Sequence, residues 1–360
     1  ARNHADEAHV GQHYAIWMED NGCHNWRDYY RPPTGTNDRQ KHRWEIPEKY
    51  HYNAWIAEES QRLLDTYAAG DEPFFMWSSF FDPHPPYLAP DPWHAMYDPA
   101  DLTLPQIVEG EHDVNPLHFR MTQEKEPDFS AWRESGFGIH GMHSHLHGAD
   151  EMRQNMAVYY GMISLMDEYI GRILTHLEKT GLAKNTLVVF TTDHGHLFGQ
   201  HGMTAKGPFH YEDLVKLPFL VRWPNRVQAG SQSDAILSLV DMAPSFLGAA
   251  GLSADWGISG ADQTPVWTGT VEAVRDHAIV ENRHEPTTIH TRTFVDQTHK
   301  LTVHYGRDEG ELFDLQQDPQ EIDNHWSDPG WADLKAELTR RLLHAELGKE
   351  PLVMPRIAGA

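Results

Sequence analysis

Thr186-Leu187-Val188-Val189-Phe190-Thr191, followed by Thr192-Asp193-His194-Gly195-His196, decides the fold of this chain. The first six residues are apolar or β-branched without alternation, which predicts a strand covered on both faces, as in a parallel sheet. Upstream, Met152, Met156, Tyr159, Ile163, Met166, Ile170, Ile173, Leu174 and Leu177 recur at helical spacing, and Gly181 closes that predicted helix. The same order occurs earlier: a helix over His51 to Ala69, then the apolar run Phe74-Phe75-Met76-Trp77-Ser78-Ser79-Phe80-Phe81, also predicted to be a buried strand. Helix followed by apolar strand, twice, predicts an α/β fold with a doubly wound, mixed and mainly parallel sheet flanked by helices. Ligands of such sheets bind beyond the C-terminal strand ends, where His84 and Asp193 both fall.

Pro218 to Trp223 reads as another short strand, and Ser238 to Leu247 as a helix that Pro244 should kink or shorten. The pattern changes after about Gly260. Ala278-Ile279-Val280, Thr293-Phe294-Val295, Lys300 to His304 and Leu312-Phe313 predict short strands, and Trp331 to Leu347 a helix. Residues 1–260 are therefore expected to form an α/β catalytic domain, and 261–360 a smaller antiparallel subdomain with a packed helix. Residues 1–43 are polar, His-rich and aromatic without periodicity and read as surface loops. Residues 109–150 read as a long polar insertion, of a length that is usually functional or disordered. Its His140, His143, His145 and His147 are open to three readings: a zinc site, a substrate-contacting loop, or a solvated loop.

With 39% hydrophobic residues in 360, the chain can bury a sizeable core. No apolar run approaches the roughly 18 residues of a membrane helix. A formal charge of -24 argues against nucleic acid as a partner, since phosphate binding needs a basic surface. Any anionic substrate must be attracted locally, by a metal ion or a few well-placed cations. The single cysteine, Cys23, excludes an internal disulfide framework and reads as an ordinary thiol. Ala1 rather than Met at the start leads to the expectation that something upstream was cleaved, processed or left out.

Asp193 at the mouth of a buried strand reads as a metal ligand, because a carboxylate there is costly to hold without a cation or donors. Gly195, Gly199 and Gly202 let backbone approach a small ligand, and Lys206 offers a positive charge to an anionic oxygen. His84, within Asp82-Pro83-His84-Pro85-Pro86, can donate to an oxyanion or protonate a leaving oxygen.

Asp193-His194-Gly195, Gly199-Gln200-His201-Gly202, Lys206 and Val215-Lys216-Leu217-Pro218-Phe219 together resemble the downstream signature block of the formylglycine-dependent (type I) sulfatases of the alkaline phosphatase superfamily. His84 in its proline setting resembles that family's sulfate-binding histidine. Glu311-Leu312-Phe313-Asp314-Leu315, with Asp318-Pro319, Glu321 and Asn324, resembles the family's C-terminal motif. The resemblance runs from near Trp44 to about Trp326.

It implies hydrolysis of sulfate esters, with a sulfated carbohydrate or polysaccharide as substrate. Asp193 would be a calcium ligand, calcium being favoured over magnesium, and His194 its neighbour in the metal shell. Lys206 would bridge sulfate and nucleophile, His84 would bind sulfate or the leaving oxygen, and His201, His143 and His145 would contact substrate. The nucleophile would be a formylglycine made from Cys-x-Pro-x-Arg or Ser-x-Pro-x-Arg. Neither motif occurs here, since Asn25 stands at the proline position of the Cys23 to Arg27 spacing. A separate N-terminal fragment of the same protein is thus an expected partner, and the resemblance implies a periplasmic or secreted location. The rival readings are a phosphonate or phosphate ester hydrolase of the same superfamily and a non-catalytic binding protein of this fold.

Overall fold

A computed structural model of the chain describes residues 12–30, 42–126, 128, 147–253, 258–283 and 289–349. In chain order its helices are α1 His13–Asp20, α2 Tyr52–Ala68, α3 Leu117–Met121, α4 Ala149–Lys179, α5 Glu212–Val215, α6 Met242–Ala249, α7 Thr264–Trp267 and α8 Ala332–Gly348. Its strands are β1 His42–Arg43, β2 Leu88–Ala89, β3 Val188–Thr191, β4 Leu197–Phe198, β5 Thr204–Ala205, β6 Phe219–Arg222, β7 Ala278–Arg283, β8 His290–Val295, β9 His299–His304 and β10 Gly310–Asp314. The chain divides into two compact units, Ala1–Leu104 with His147–Thr186, and Pro105–Leu146 with Leu187–Ala360. The composition change near Gly260 falls inside the second.

The first unit is built on α2 and α4. α2 buries Asn53, Ile56, Ala57, Ser60 and Leu64; of the stripe expected on α4, Met152, Met156, Ile173 and Leu177 are buried, with Leu165 and Tyr169 beside them, while Tyr159, Ile163, Met166, Ile170 and Leu174 are half-buried. Each such large apolar side chain contributes on the order of 1.5–3 kcal/mol when fully buried. α4 passes close over another segment at Gly161, where an added Cβ would lie 2.1 Å from the Trp93 carbonyl oxygen. Residues 12–30 are not all loop: α1 forms, and Ala15 and Met18 on one face bury with Cys23 and Trp26. Two residues on the covered side of α1 supply too short a period to detect. Burial of Cys23 raises its thiol pKa, as an inert cysteine requires.

Residues 74–81 differ from the buried strand expected of them. They belong to no ladder among the described residues, and Phe75, Trp77 and Phe81 are exposed while Phe74, Met76, Ser78 and Phe80 are half-buried. The covered side meets α2, through the stacked rings of Tyr67 and Phe74 and the Ser60–Ser78 hydroxyl pair at 2.7 Å.

In the second unit β3 pairs antiparallel with β6, Val188 opposite Arg222 and Thr191 opposite Phe219, and both strands are half-buried rather than enclosed. The C-terminal strands form an antiparallel sheet in the order β10-β9-β8-β7, and α8 covers it with Leu338 and Leu342 against Phe294, Leu301 and Leu312. The antiparallel strands and packed helix are those expected, but they belong to a compact unit that also takes in the chain from Leu187 onward. A second cluster joins Phe119, Phe209, Tyr211, Leu214 and Phe313. Phe119 comes from α3, so the segment read as a polar insertion contributes a fully buried ring. α6 begins at Met242 rather than Ser238. Ser238 and Asp241 instead form a capping box over the preceding turn, and Pro244 lies in the first helical turn, where its missing N–H is harmless.

Candidate functional site

The second unit brings Asp193, His194 and Lys206 together, and the local register explains how. After β3 the chain turns through Thr192 to Gly195 and enters the β4–β5 hairpin, in which Leu197 opposes Ala205. Lys206, just after β5, therefore returns beside the residues just before β4. The turn is seated on α5: the Gly195 N–H donates to the Leu214 carbonyl at 2.9 Å. A Cβ on Gly195 would fall 1.8 Å from the Asp213 carbonyl oxygen, so only glycine fits. Two non-glycine residues of the hairpin, His201 (φ +57°) and Ala205 (φ +62°), hold the left-handed backbone region, at a cost on the order of 1–2 kcal/mol each. Strain of this kind concentrates at functional sites.

Asp193 Oδ1 accepts from the His194 N–H at 3.0 Å and from the Thr192 hydroxyl at 3.3 Å. Its side chain is 81% exposed, so the burial cost invoked from sequence is small here. His194 Nδ1 donates to the Gly195 carbonyl at 2.8 Å, which leaves Nε2 to accept from the Lys206 ammonium at 2.8 Å. The same Nε2 lies 3.4 Å from Asp193 Oδ2. The three groups open onto a cleft of about 3240 Å³ that Gln106, Gln200 and Asp213 also line.

Asp193 suits a hard cation such as calcium, which prefers oxygen ligands. His194 suits one less well, because both ring nitrogens are already engaged. No group of three or more His, Cys, Asp or Glu side chains able to hold a metal occurs among the described residues.

His201, expected to touch substrate, turns inward. Its side chain is 3% exposed, Nδ1 lies 2.5 Å from Glu111 Oε1, Nε2 lies 3.8 Å from Asp213 Oδ2, and the ring stacks on Tyr211 with centroids 3.5 Å apart. Burial alone would lower its pKa, but Asp213 and Glu111 outweigh it and push the value up to about 9. What is seen is a clamp on the hairpin; reaching substrate would require the ring to leave it. Sequence reading missed Glu111, which carries no motif.

His84 lies in the first unit, half-buried after the extended segment 74–81. Its Nδ1 donates to the Pro85 carbonyl at 2.6 Å, and its N–H to Phe81 at 3.0 Å. The loop is rooted by buried Asp82, which accepts from the Tyr52 hydroxyl and from Asn53 Nδ2. Burial pushes the Asp82 carboxyl up to about 7, against the pull of those two donors. His140, His143 and His145 lie outside the described residues; His147 Nδ1 lies 3.4 Å from Glu151.

A protein-family model described as Sulfatase matches residues 6–252. A second, described as N-sulphoglucosamine sulphohydrolase, C-terminal, matches residues 199–347. The N-acetylglucosamine-6-O-sulfatase of Bacteroides thetaiotaomicron is 35% identical over 200 residues, 53% of this chain and 35% of its own length. The multifunctional alkaline phosphatase superfamily protein PehA of Trinickia caryophylli is 26% identical over 368 residues, covering 92% of this chain and 68% of its own. Among solved structures, the phosphonate monoester hydrolase of Agrobacterium radiobacter superposes with a TM-score of 0.76 at 23% identity, over 95% of this chain and 70% of that one. The superposition establishes the fold. The chain thus spans about a third of one curated relative and about two thirds of the other.

Proposed function

Since the chain belongs to the sulfatase family, we propose that it serves in the hydrolysis of sulfate esters, on a sulfated carbohydrate or polysaccharide. The observation that carries this reading is the meeting of Asp193, His194 and Lys206 at the end of β3, a carboxylate held by the His194 backbone N–H and an ammonium held by its imidazole. The carbohydrate class rests on the N-acetylglucosamine-6-O-sulfatase relative. A polysaccharide is met outside the cytoplasm, which favours a periplasmic or secreted protein; no described helix is long and apolar enough to cross a membrane.

Asp193 would hold a calcium ion, in preference to magnesium, with His194 beside it. When bound, the ion supplies charge neutralisation to the sulfate oxygens. Lys206 adds a second positive charge as negative charge builds on those oxygens, and the imidazole of His194 keeps its ammonium in place. His84 assists the departing alcohol. The nucleophile would be a formylglycine from an N-terminal segment, in the same chain or as a separate fragment, since no Cys-x-Pro-x-Arg or Ser-x-Pro-x-Arg occurs in these 360 residues.

Phosphonate or phosphate ester hydrolysis is a second reading, favoured by the coverage of the multifunctional superfamily protein. Turnover of matched nitrophenyl sulfate, phosphate and phenylphosphonate esters separates the two. A dominant kcat/KM on sulfate is expected, and a dominant value on either phosphorus ester overturns the assignment.

A further inference from the structure

Glu321 and Asn324 belong to the C-terminal motif, and the chemistry above gives them no part. Yet both reach the site, Glu321 through buried contacts and Asn324 through half-buried ones. Glu321 is 1% exposed and sits at φ +57°, an unfavourable backbone conformation for a residue other than glycine. The N–H of Glu212, the first residue of α5, donates to its Oε2 at 2.5 Å, while its Oε1 lies 2.7 Å from Lys300 Nζ. The same buried ammonium lies 2.7 Å from Glu212 Oε1 and donates to the His210 carbonyl at 2.9 Å. The C-terminal sheet, through Lys300 on β9, thereby grips α5 at its first turn. The far end of α5 offers the Leu214 carbonyl to Gly195, and Asp213 fills the space beneath that glycine.

Asn324 runs a second line to the other arm of the site. Its Oδ1 accepts from the N–H groups of Leu312 and Trp326 at 3.0 Å, and its Nδ2 donates to Asn115 Oδ1 at 2.8 Å. Asn115 Nδ2 donates to His112 Nδ1 at 3.1 Å. His112 Nε2 then donates to the carbonyl of His201 at 2.8 Å, inside the hairpin that carries Lys206. Every donor and acceptor along this line is consistent with one tautomer of His112.

We infer that Glu321 and Asn324 are positioning residues: the C-terminal sheet holds the Asp193 turn through Glu321, Lys300 and α5, and the Lys206 hairpin through Asn324, Asn115 and His112. The inference rests on Asp193 and Lys206 being the working groups. A displacement of about 1 Å at such groups costs up to ~100-fold in rate.

The test uses the complete protein with a nitrophenyl sulfate, well below each variant's melting temperature, and compares Glu321→Ala, Glu321→Gln, Asn324→Asp and Lys206→Ala. Gln keeps an acceptor for the Glu212 N–H, whereas Ala does not. Asn324→Asp keeps the acceptor for Leu312 and Trp326 and loses the donations to Asn115 and to the Gly310 and Val114 carbonyls, so it remains informative where Glu321→Ala fails to fold. The expected result is a fall in kcat of about 10-fold to 100-fold for Glu321→Ala and about 3-fold to 10-fold for Asn324→Asp, with KM within about 3-fold. Glu321→Gln, which keeps the acceptor for the Glu212 N–H but not the charge facing Lys300, should recover part of the loss. Variants with lowered melting temperatures but wild-type kcat per folded molecule overturn the inference, as does an equal loss for Gln and Ala. Lys206→Ala separates this failure from that of the site itself: if it too keeps full kcat, the site assignment is wrong.

Discussion

Lys206 Nζ lies 2.8 Å from His194 Nε2, and the ring's other nitrogen is tied to the Gly195 carbonyl at 2.8 Å. The imidazole therefore acts as a spacer, one side fixed to the turn and the other aiming a cation into the cleft. A long flexible side chain held in this way loses less freedom when an anion binds.

If Asp193 is the calcium ligand of this chain, Asp193→Ala should abolish turnover. Calcium should raise the melting temperature of the wild-type protein, by mass action on the folded state, and should do so less for the variant. An unchanged calcium response in a calcium titration followed by thermal unfolding would remove Asp193 from the metal site.

His84→Ala should lower kcat steeply on alkyl sulfates and less on nitrophenyl sulfate, whose leaving group needs little protonation. Equal losses on both esters would leave His84 a sulfate-binding role only.

Acid should destabilise the fold through three buried histidines. Burial lowers His51 and His210 to about 3, and lowers His118, which neighbouring His304, Arg307 and His112 depress further. Folded, these rings are neutral; unfolded, they titrate near 6.5. The unfolded chain thus binds more protons below pH 6.5, and stability falls as pH drops from there toward 3, by up to about 1.4 kcal/mol per pH unit for each ring. Among the described residues neither ring nitrogen of His118 has a hydrogen-bond partner, and its ring stacks against Phe209. His118→Phe should therefore flatten the dependence of melting temperature on pH between 6.5 and 4.5, and a parallel curve would refute this account of the slope.

His201 has the opposite sign. Its folded value of about 9 lies above the unfolded one, so its contribution is complete below about pH 6.5 and is lost as pH rises toward 9. Glu111→Gln removes one of the two carboxylates responsible. It should lower stability by about 1–3 kcal/mol at pH 6, with the deficit shrinking by pH 9.5. Denaturant unfolding at the two pH values measures this, and a constant deficit would remove the His201 charge from the explanation.

What could be read from the sequence was local. Asp193, His194 and Lys206 lie within one turn and one hairpin, so residue types and glycine spacing were enough to group them. The helices α2 and α4 and the short strands of the C-terminal sheet were equally plain as elements, although the covered face of α4 is centred on Leu165 and Tyr169 rather than on Ile163, Met166 and Ile170. The pairing of Glu111 with His201 and of Asn115 with Asn324 was not legible, since each joins residues far apart in the chain by polar contacts that leave no periodic trace. Residues 74–81 show a different limit. An apolar run reports that a segment resists water, and gives neither its ladder partner nor which face is covered.

The central claim is that the end of β3 is where a sulfate ester is turned over, and kcat of Lys206→Ala against wild type on nitrophenyl sulfate at saturating substrate tests it most directly. Loss of one preorganised charge at the reacting oxygens predicts a fall of about 100-fold to 1000-fold in kcat, with unchanged folding by circular dichroism. A folded Lys206→Ala protein with wild-type kcat would contradict the assignment of the site.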